Sequence, residues 1–575
     1  MNRNTNERFA MNPTNINIQR STFHRPSTHK TTFNAGKLIP VYVDEVLPGD
    51  TFEFNVRNIT RMATPMFPVM DNAYMDIYSF FVPCRLVWDH WKEFCGENTT
   101  SKWEQETEYT IPQITAPKTL LDKPGGWKTN DLMDYFGIPT NVGSATEGTG
   151  DIKISVNHLP IRAYCLIWDE YFRDQNLQDP VLIDTGDSAT EGLNASDNTT
   201  NYQQNALAGG KLLPVNKMHD YFTSALPEPQ KGPDVLLPLG TTAPVVTLPN
   251  NHGKTTGASP HMKFIPSTGL GDDNRYVGMV STGGGGFEFS ATTPDTSNDP
   301  SGYLIPSNLA ANLEDATAAT INELRMAFQI QKLFERDARG GTRYREIIKN
   351  HFGVTSPDAR MQVPEYLGGE HIPINMDQVL QTSATNETSP QGNTAAFSLT
   401  GFSGANWTKS FTEHGYILTL ACIRTNKTYQ QGIEKMWSRT KRFDVYWPAL
   451  ANIGEQPIYN KEIYLQDAVN GIPVQNEQVF GYQEAWAEYR YKPSRVSGYM
   501  RSNADGTLDS WHYADYYKKL PVLSDEWIQE DPANVDRTLA VTSKISNQFI
   551  ADFFFDVTCT RPMPIYSIPG LIDHN

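Results

Sequence analysis

Residues 32–50 read TFNAGKLIPVYVDEVLPGD, and the chain continues through MDN at 70–72 to FFVP at 80–83. This stretch consists of segments rich in β-branched and aromatic residues, separated by proline and glycine, with no residue placed for catalysis. Apolar and polar residues alternate from Phe52 to Arg57, and from Tyr74 to Phe80 the aromatic residues recur at even positions, on one face of a strand. A two-residue period is typical of a half-buried β-strand, so both segments are predicted to be strands.

The other strong strand signals lie towards the opposite end of the chain. They are Tyr416–Ile423, Phe443–Tyr446, Glu484–Tyr491 and Phe549–Thr558, and the last of them is apolar enough to be a central strand. Length alone predicts about four domains. However, the richest strand segments lie near the two ends, and the loop-like sequence lies between them. We therefore predict one β-sandwich with strands from roughly 40–83 and 410–560, so that the two ends of the chain meet in its core.

A few segments show the apolar spacing of a helix. They are Arg85–Cys95, His158–Gln175 and about Asp315 to Ala338. Pro160 falls in the first turn of the second segment, where a missing backbone N–H costs nothing. Gly340 and Gly341 follow the third segment and predict its end. The sequence thus favours a mainly β protein with few helices.

The basic residues near the N-terminus stand out because the chain as a whole carries a formal net charge of −17. Residues 1–36 contain Arg3, Arg8, Arg20, Arg25 and Lys30. Two interpretations remain open. The segment is either a solvated, disordered terminus or a basic arm that contacts phosphates.

Two further groups of basic residues are interleaved with aromatic side chains. One surrounds the Gly340–Gly341 turn, and the other adjoins Trp437 and Phe443. Such a pattern suits single-stranded nucleic acid, but it equally suits salt bridges between subunits or a solvated face. The two groups are Arg336, Arg339, Arg343, Arg345 and Lys349, and Lys435, Arg439, Lys441 and Arg442.

The motifs that resemble catalytic or metal sites are all incomplete. His90, Glu93 and Cys95 lie close together but lack a second pair of ligands, and His219-Asp220 lacks a nucleophile motif. The turn at 503–509 lacks the distal glutamate of a calcium loop. We therefore predict no enzyme activity, no metal and no cofactor. The five cysteines show no short repeated spacing, and we expect them to be free thiols, in a chain without a membrane span.

Residues 241 to about 310 are rich in Gly, Thr, Ser, Asn and Pro, including four consecutive glycines at 283–286. This composition is not expected to bury enough apolar surface for an independent core. The short apolar pieces Val277–Val280 and Phe287–Phe289 are instead expected to pack against neighbouring copies of the chain. The predicted result is a protrusion at a symmetry axis, with a disordered surface loop as the alternative.

Four blocks of this sequence occur in the same order in one known family. They are residues 32–83, residues 318–344, PEYLGG at 364–369 and QFIADF at 548–553. On these blocks the chain resembles the major capsid proteins of gokushoviruses, a branch of the microviruses, which are small icosahedral single-stranded DNA phages. The blocks are spread over most of the chain, from residue 32 to residue 553, so the resemblance is specific.

The resemblance implies a fold as well as a family. The fold is a single eight-stranded jelly-roll β-sandwich with large loop insertions and a few helices. The chain is then divided into a basic N-terminal arm (1–36), a first part of the jelly roll (37–240), a surface insertion (241–310) and a helix followed by the remaining strands (311–575).

The function implied by the resemblance is structural. Sixty copies would form a T=1 icosahedral capsid around a circular single-stranded DNA genome, assembled in the bacterial host cytoplasm and ending in the virion. The expected partners are minor capsid or pilot proteins, small DNA-binding proteins and a host cell surface receptor. The residues expected to contact DNA are Arg3, Arg8, Arg20, Arg25, Lys30, Arg439, Lys441 and Arg442.

The insertion is expected to project from the capsid exterior at the threefold axes and to contact the host there. Its candidate residues are Val277, Val280, Gly283, Gly284 and Phe287. The alternative function is a carbohydrate-binding or carbohydrate-active protein built on a jelly roll. An enzyme of that class would need converging carboxylates or a histidine cluster, and the sequence shows neither.

Overall fold

The computed structural model describes residues 19–99, 107–119, 125–144, 153–197, 201–235, 321–383, 390–392, 394–467 and 474–566, together with short strands between 245 and 311. It divides into two compact units. The first unit contains the chain up to Pro229 and from Asp337 onward, and the second is Gln230–Arg336.

Two antiparallel sheets form the centre of the first unit. Their strands, labelled in chain order, are Ser21–His24 (β1), Ser27–Phe33 (β2), Ile39–Val46 (β3), Thr51–Met62 (β4), Ala73–Pro83 (β5), Glu365–Pro373 (β6), Thr400–Ser410 (β7), Gly415–Thr425 (β8) and Phe549–Arg561 (β9). The first sheet has the order β9–β4–β7, with β1 and β2 both paired to the free edge of β9, and the second has the order β6–β5–β8–β3.

The two ends of the chain meet in the first sheet, as the sequence analysis predicts. β9 runs antiparallel to β4 along its whole length, from Phe549 opposite Met62 to Thr560 opposite Thr51. β1 and β2 pair with the other edge of β9. β9 therefore lies between strands on both sides, which confirms the prediction of a central strand. The strands also begin at Ser21, earlier than residue 37, where the sequence analysis starts the jelly roll.

One hydrophobic core is shared by the two sheets. Phe54 of β4 and Phe555 of β9 enter it from the first sheet, and Met75 and Ile77 of β5 enter it from the second. All four side chains are buried. Two sheets packed face to face across such a core have the arrangement of a β-sandwich.

The outer faces of the two sheets differ. In β4, every second residue faces solvent or is only half-buried. This pattern is typical of a sheet with one solvent-exposed face. β8 is buried on both faces over almost its whole length. A second hydrophobic cluster explains this difference, because Leu418 and Leu420 of β8 pack with Tyr164 and Trp168 of a helix, α1 (Leu159–Tyr171).

α1 confirms the helix predicted at 158–175. Its Tyr164 hydroxyl donates a hydrogen bond to the Leu38 carbonyl at 2.7 Å, and the Trp168 indole donates to the Pro214 carbonyl at 2.7 Å. These bonds satisfy the polar ends of two fully buried aromatic side chains. The second long helix, α2 (Ile321–Gly340), confirms the helix predicted up to Ala338. Residues 315–320 of that prediction lie outside the described residues.

The other helical segments of the described chain are short. The α-helices are Trp91–Phe94, Leu132–Tyr135, Tyr202–Leu207, Tyr344–Ile347, Asp358–Met361, Asn460–Ile463, Asp525–Ile528 and Ala533–Asp536, and a π-helical turn covers Ile348–Phe352. The 3-10 turns are Cys84–Leu86, Lys435–Ser438, Arg442–Asp444, Pro448–Leu450, Ala487–Tyr489, Gly498–Met500 and Asp509–Trp511.

Short strands complete the first unit. They are Gln113–Thr115, Ser155–Asn157, Thr190–Glu191, Met376–Leu380, Thr394–Ser398, Thr428–Tyr429, Glu455–Tyr459, Val479–Glu484 and Ser494–Arg495. A third hydrophobic cluster lies among the later segments and contains Tyr429, Ile458, Phe480 and Trp527. Residues after β8 therefore pack around a separate core, to which Tyr221, Phe222 and Ala225 also contribute, before the chain returns to the sandwich as β9.

Three of the local predictions are wrong in detail. Phe443–Tyr446 is not a strand, because it begins in the 3-10 turn Arg442–Asp444 and its aromatic side chains are exposed. In the predicted strand Glu484–Tyr491, Trp486 adopts a left-handed backbone with φ 66° and a 3-10 turn follows. Arg85–Cys95 contains only short helical turns rather than one helix.

The second unit contains three nested strand pairs among its described residues. Val245–Thr247 pairs with Leu309–Ala311, Phe264–Pro266 pairs with Leu304–Pro306, and Val277–Thr282 pairs with Gly286–Ala291. All three pairs are antiparallel, and each lies within the sequence span of the one before it, so we call these nested pairs the ribbon. The two apolar pieces that the sequence analysis assigns to contacts with other copies thus pair with each other.

Candidate functional site

Three basic residues of the N-terminal segment, Arg20, Arg25 and Lys30, lie along the edge of the first sheet, where β1 and β2 pair with β9. The Arg20 guanidinium donates to the Gly49 carbonyl. Arg25 donates to both carboxylate oxygens of Asp44, at 2.6 and 3.2 Å. Lys30 lies 3.2 Å from the Asp552 carboxylate.

These contacts change the electrostatic interpretation of the segment. A cation paired with a carboxylate presents less net positive charge to a phosphate than a free one. Arg25 and Lys30 are therefore weaker candidates for DNA contact than their sequence position suggests. Arg3 and Arg8 lie outside the described residues, and their role stays a prediction.

The basic group next to Trp437 is divided between buried and exposed cations. Arg439 donates to Glu488 at 2.9 Å and stacks over the Tyr489 ring at 4.4 Å. Its side chain is mostly buried, whereas Lys441 and Arg442 are exposed. Arg439, Lys441 and Arg442 therefore lie close together, and of these three only Lys441 and Arg442 are open to a partner.

A cavity of about 370 Å³ lies beside this group. The Glu462 carboxylate accepts a hydrogen bond from the Tyr221 hydroxyl at 3.2 Å, and burial raises its pKa. Glu488 accepts from Arg439, so both acids are already bonded within the chain. The cavity therefore offers aromatic surface rather than a reactive pair of carboxylates. Its lining includes Tyr221, Tyr429, Trp437, Tyr489, Glu462 and Glu488.

Three residues of the basic group around the Gly340–Gly341 turn, Arg339, Arg343 and Arg345, make contacts within the subunit. Arg339 pairs with Glu455. Arg343 lies 3.2 Å from Glu346, and Arg345 stacks over Tyr171 of α1 at 4.3 Å. Salt bridges within one subunit are not among the interpretations that the sequence leaves open for this group, which are nucleic-acid contact, salt bridges between subunits and a solvated face.

Two of the incomplete motifs that resemble catalytic or metal sites make contacts within the fold. His90 lies 2.9 Å from Asp187 and stacks on Tyr109, and the hydrogen bond to Asp187 raises the pKa of His90. Asp220 caps a turn by accepting from the backbone N–H groups of Phe222 and Thr223. Within the described part of the chain, no group of three or more His, Cys, Asp or Glu side chains is arranged to hold a metal ion.

The candidate residues of the insertion fall on the ribbon of the second unit. Val277 and Val280 lie in one strand of its last pair and Phe287 in the other, with Val277 opposite Ala291. Gly283 and Gly284 lie outside the described residues. Their role in host contact stays a prediction.

The sequence gives no sign of one buried group of charged side chains. Lys427 lies 2.8 Å from Glu530, and Lys217 lies 3.5 Å from Asp515, with all four side chains nearly inaccessible to solvent. Burial opposes ionisation of Asp515, yet Lys217 and Lys427 lower its pKa to about 2. No local pattern could reveal this group, because its members are distant in sequence and each looks like an ordinary surface charge.

Comparison with known proteins decides between the functions left open. Residues 11–571 match the family described as "Capsid protein (F protein)". The chain belongs to this capsid protein family. The match covers nearly the whole chain, and it confirms the resemblance drawn from the four sequence blocks.

Three relatives of this capsid protein are similar along their entire length. All three carry the name capsid protein VP1. The relative from Bdellovibrio phage phiMH2K is 42% identical over 570 residues, covering 99% of this chain and 98% of the relative. The relative from Chlamydia phage 1 is 40% identical (98% and 97% covered), and that from Spiroplasma virus 4 is 43% identical (96% and 96% covered).

The role of this protein is thus structural. As a major capsid protein it assembles with other subunits into a capsid, and its location is the virion. Among the residues that the structure describes, no helix is both long enough and apolar enough to cross a membrane.

Proposed function

We propose that sixty copies of this capsid protein, each folded as one eight-stranded jelly roll, form a T=1 shell around a circular single-stranded DNA genome. The shell is assembled in the cytoplasm of a bacterial host. Minor capsid or pilot proteins and small DNA-binding proteins are proposed to accompany it. The proposal extends the capsid role of the family to a defined architecture and content.

The strand order of the sandwich is the observation that supports a jelly roll. Without the short β1, the sheets are β2–β9–β4–β7 and β6–β5–β8–β3, with four strands each. Along the chain, β2 to β5 alternate between the sheets, β6 stays beside β5, and β7 to β9 alternate again. This is the order expected when two Greek keys fold into one double-sheet jelly roll.

We also propose that residues 241–310 project from the outside of the shell at the threefold axes and contact a host cell surface receptor. The nested strand pairs support this, because a two-stranded ribbon is narrow and too small to bury a core of its own. An isolated ribbon is marginally stable, so contacts with symmetry-related copies would stabilise it.

The architecture is tested by sedimentation and electron microscopy of the expressed full-length chain. We expect closed particles of one size, whose reconstruction contains sixty subunits and shows the insertions gathered in threes outside the shell. A stable small monomer would contradict the proposed shell. Insertions on the inner face, or without contacts between copies, would contradict the protrusion alone.

The proposed DNA contacts are tested by removing charge at matched positions. Replacing Arg3 and Arg8 by glutamine should weaken binding of a single-stranded oligonucleotide, and the slope of log affinity against log salt should fall by about 0.7 for each phosphate that is no longer neutralised. Lys30→Gln is the control, because Lys30 is already paired with Asp552. If the Arg3 and Arg8 variant binds as the original chain does, these two residues do not contact DNA, whereas an equal loss for Lys30→Gln would show that its ion pair with Asp552 does not keep Lys30 from binding DNA.

A further inference from the structure

Residues 443–453, FDVYWPALANI, form an exposed apolar segment that we call the aromatic excursion. Its exposed fractions are 71% for Phe443, 45% for Val445, 41% for Trp447 and 48% for Ile453. Asp444 is the one charged residue in the segment. Soluble monomers rarely expose a continuous apolar surface of this kind, which usually marks a site of interaction.

The backbone of the aromatic excursion is held in place by its own contacts. The Trp447 indole donates to the Arg442 carbonyl at 3.0 Å. The Trp486 indole donates to the Leu450 carbonyl at 2.8 Å, and the Tyr446 ring packs edge-on against Trp486 at 5.7 Å. A surface that is already ordered loses little conformational entropy when a partner covers it.

We infer that the aromatic excursion is a contact surface between two copies of this chain. This inference rests on the proposed shell and names one of the surfaces through which the subunits associate. The centres of protein interfaces are rich in aromatic residues and poor in charge, as this segment is. Its hydrophobic content also matches obligate interfaces, in which the subunits remain associated.

The charges of the chain favour a second copy as the occupant. At a formal net charge of −17, two subunits repel one another over most of their surfaces. A nearly uncharged segment allows close approach, and the exposed cations Lys441 and Arg442 at its margin complement an acidic neighbour. Nucleic acid fits this segment less well, because Val445 and Ile453 provide neither a stacking face nor a phosphate contact.

A photo-crosslinking residue at position 443 tests the identity of the partner. Phe443 is replaced by p-benzoylphenylalanine in the full chain, and purified assemblies are irradiated. We expect a covalent product of two chains, with the crosslinked peptides both derived from this protein. Crosslinks to nucleic acid, or no crosslinks in assembled shells, would overturn the inference.

Paired substitutions test how much the contact contributes to assembly. Phe443→Ser with Val445→Ser should raise the subunit concentration needed for shell formation about tenfold or more, since truncation of interface aromatics commonly has effects of that size. The matched control, Phe443→Leu with Val445→Ile, keeps the apolar surface and should assemble as the original chain does. Thermal unfolding of the unassembled subunits should be equal for both variants.

The two proposals can fail separately. If the original chain forms shells and the serine variant forms them at the same concentration, the aromatic excursion is not a subunit contact, while the shell proposal stands. If the original chain forms no shells, the shell proposal fails. Irradiation of the purified protein with the photo-crosslinking residue at position 443 then decides whether two copies meet there.

Discussion

Replacing Phe555 by alanine is expected to lower the free energy of unfolding by about 3–5 kcal/mol, the usual cost of removing a large buried ring. Phe555 lies in the central strand β9 and is 1% exposed. Its ring lies 4.9 Å from that of Tyr42 and 5.8 Å from that of Phe54. The cavity would therefore open between strands of both sheets, and the yield of folded subunits should fall sharply.

Phe554→Ala is the matched control for this prediction. The two residues are adjacent, but Phe554 points to the opposite face of β9 and is only half-buried. We expect its replacement to cost about 1 kcal/mol, as for other substitutions outside the core. The measurement is denaturant unfolding of unassembled subunits. Similar losses of stability for the two variants would mean that the first sheet is not packed against the second through Phe555.

The central strands of this fold could be predicted from sequence because both of their edges and at least one face are buried. β9 and β4 carry apolar residues at every second position, and β8 is apolar almost throughout. These patterns follow directly from which faces contact a core. They identify the strands and place both ends of the chain in one sandwich, whereas their pairing in the same sheet is known only from the structure.

Two of the edge strands, β6 and β7, could not be predicted in the same way. β6 and β7 lie at the edges of the two sheets, and the side chains of β6 are mostly exposed or half-buried. β7 is interrupted by a register shift between Gly404 and Trp407, next to the left-handed Ala405. Their strand structure comes from hydrogen bonds to a neighbour, which leave little mark on the local sequence.

The ion-pair partners of charged residues could not be predicted from sequence either, as two of the candidate DNA contacts show. Lys30 looks like a free cation in a basic segment, but its partner Asp552 lies on β9 near the other end of the chain. Arg439 likewise pairs with Glu488 only because the folded chain brings them together. Sequence reveals how many charges a segment has, whereas the tertiary structure decides which of them remain unpaired.

Lys427→Ala is expected to destabilise the subunit by about 3–5 kcal/mol, because it leaves a buried carboxylate without its countercharge. The side chains of Lys427 and Glu530 are 1% and 0% exposed and lie 2.8 Å apart. The Thr425 hydroxyl also donates to Glu530 at 2.6 Å. Burial by itself lowers the pKa of Lys427, but the nearby Glu530 and Asp515 raise it above its ordinary value, so the lysine is charged in the folded chain.

Two further variants isolate the effect of burial. Lys492→Ala removes the lysine of a similar pair with Glu434, at 3.0 Å, but Lys492 is 66% exposed, so the expected loss of stability is below about 1 kcal/mol. Lys427→Met with Glu530→Leu removes both buried charges and should recover most of the stability that Lys427→Ala removes. Denaturant unfolding compares all three variants. If the double variant is as unstable as Lys427→Ala, the destabilisation comes from packing rather than from an unpaired charge, because the double variant leaves no charge unpaired.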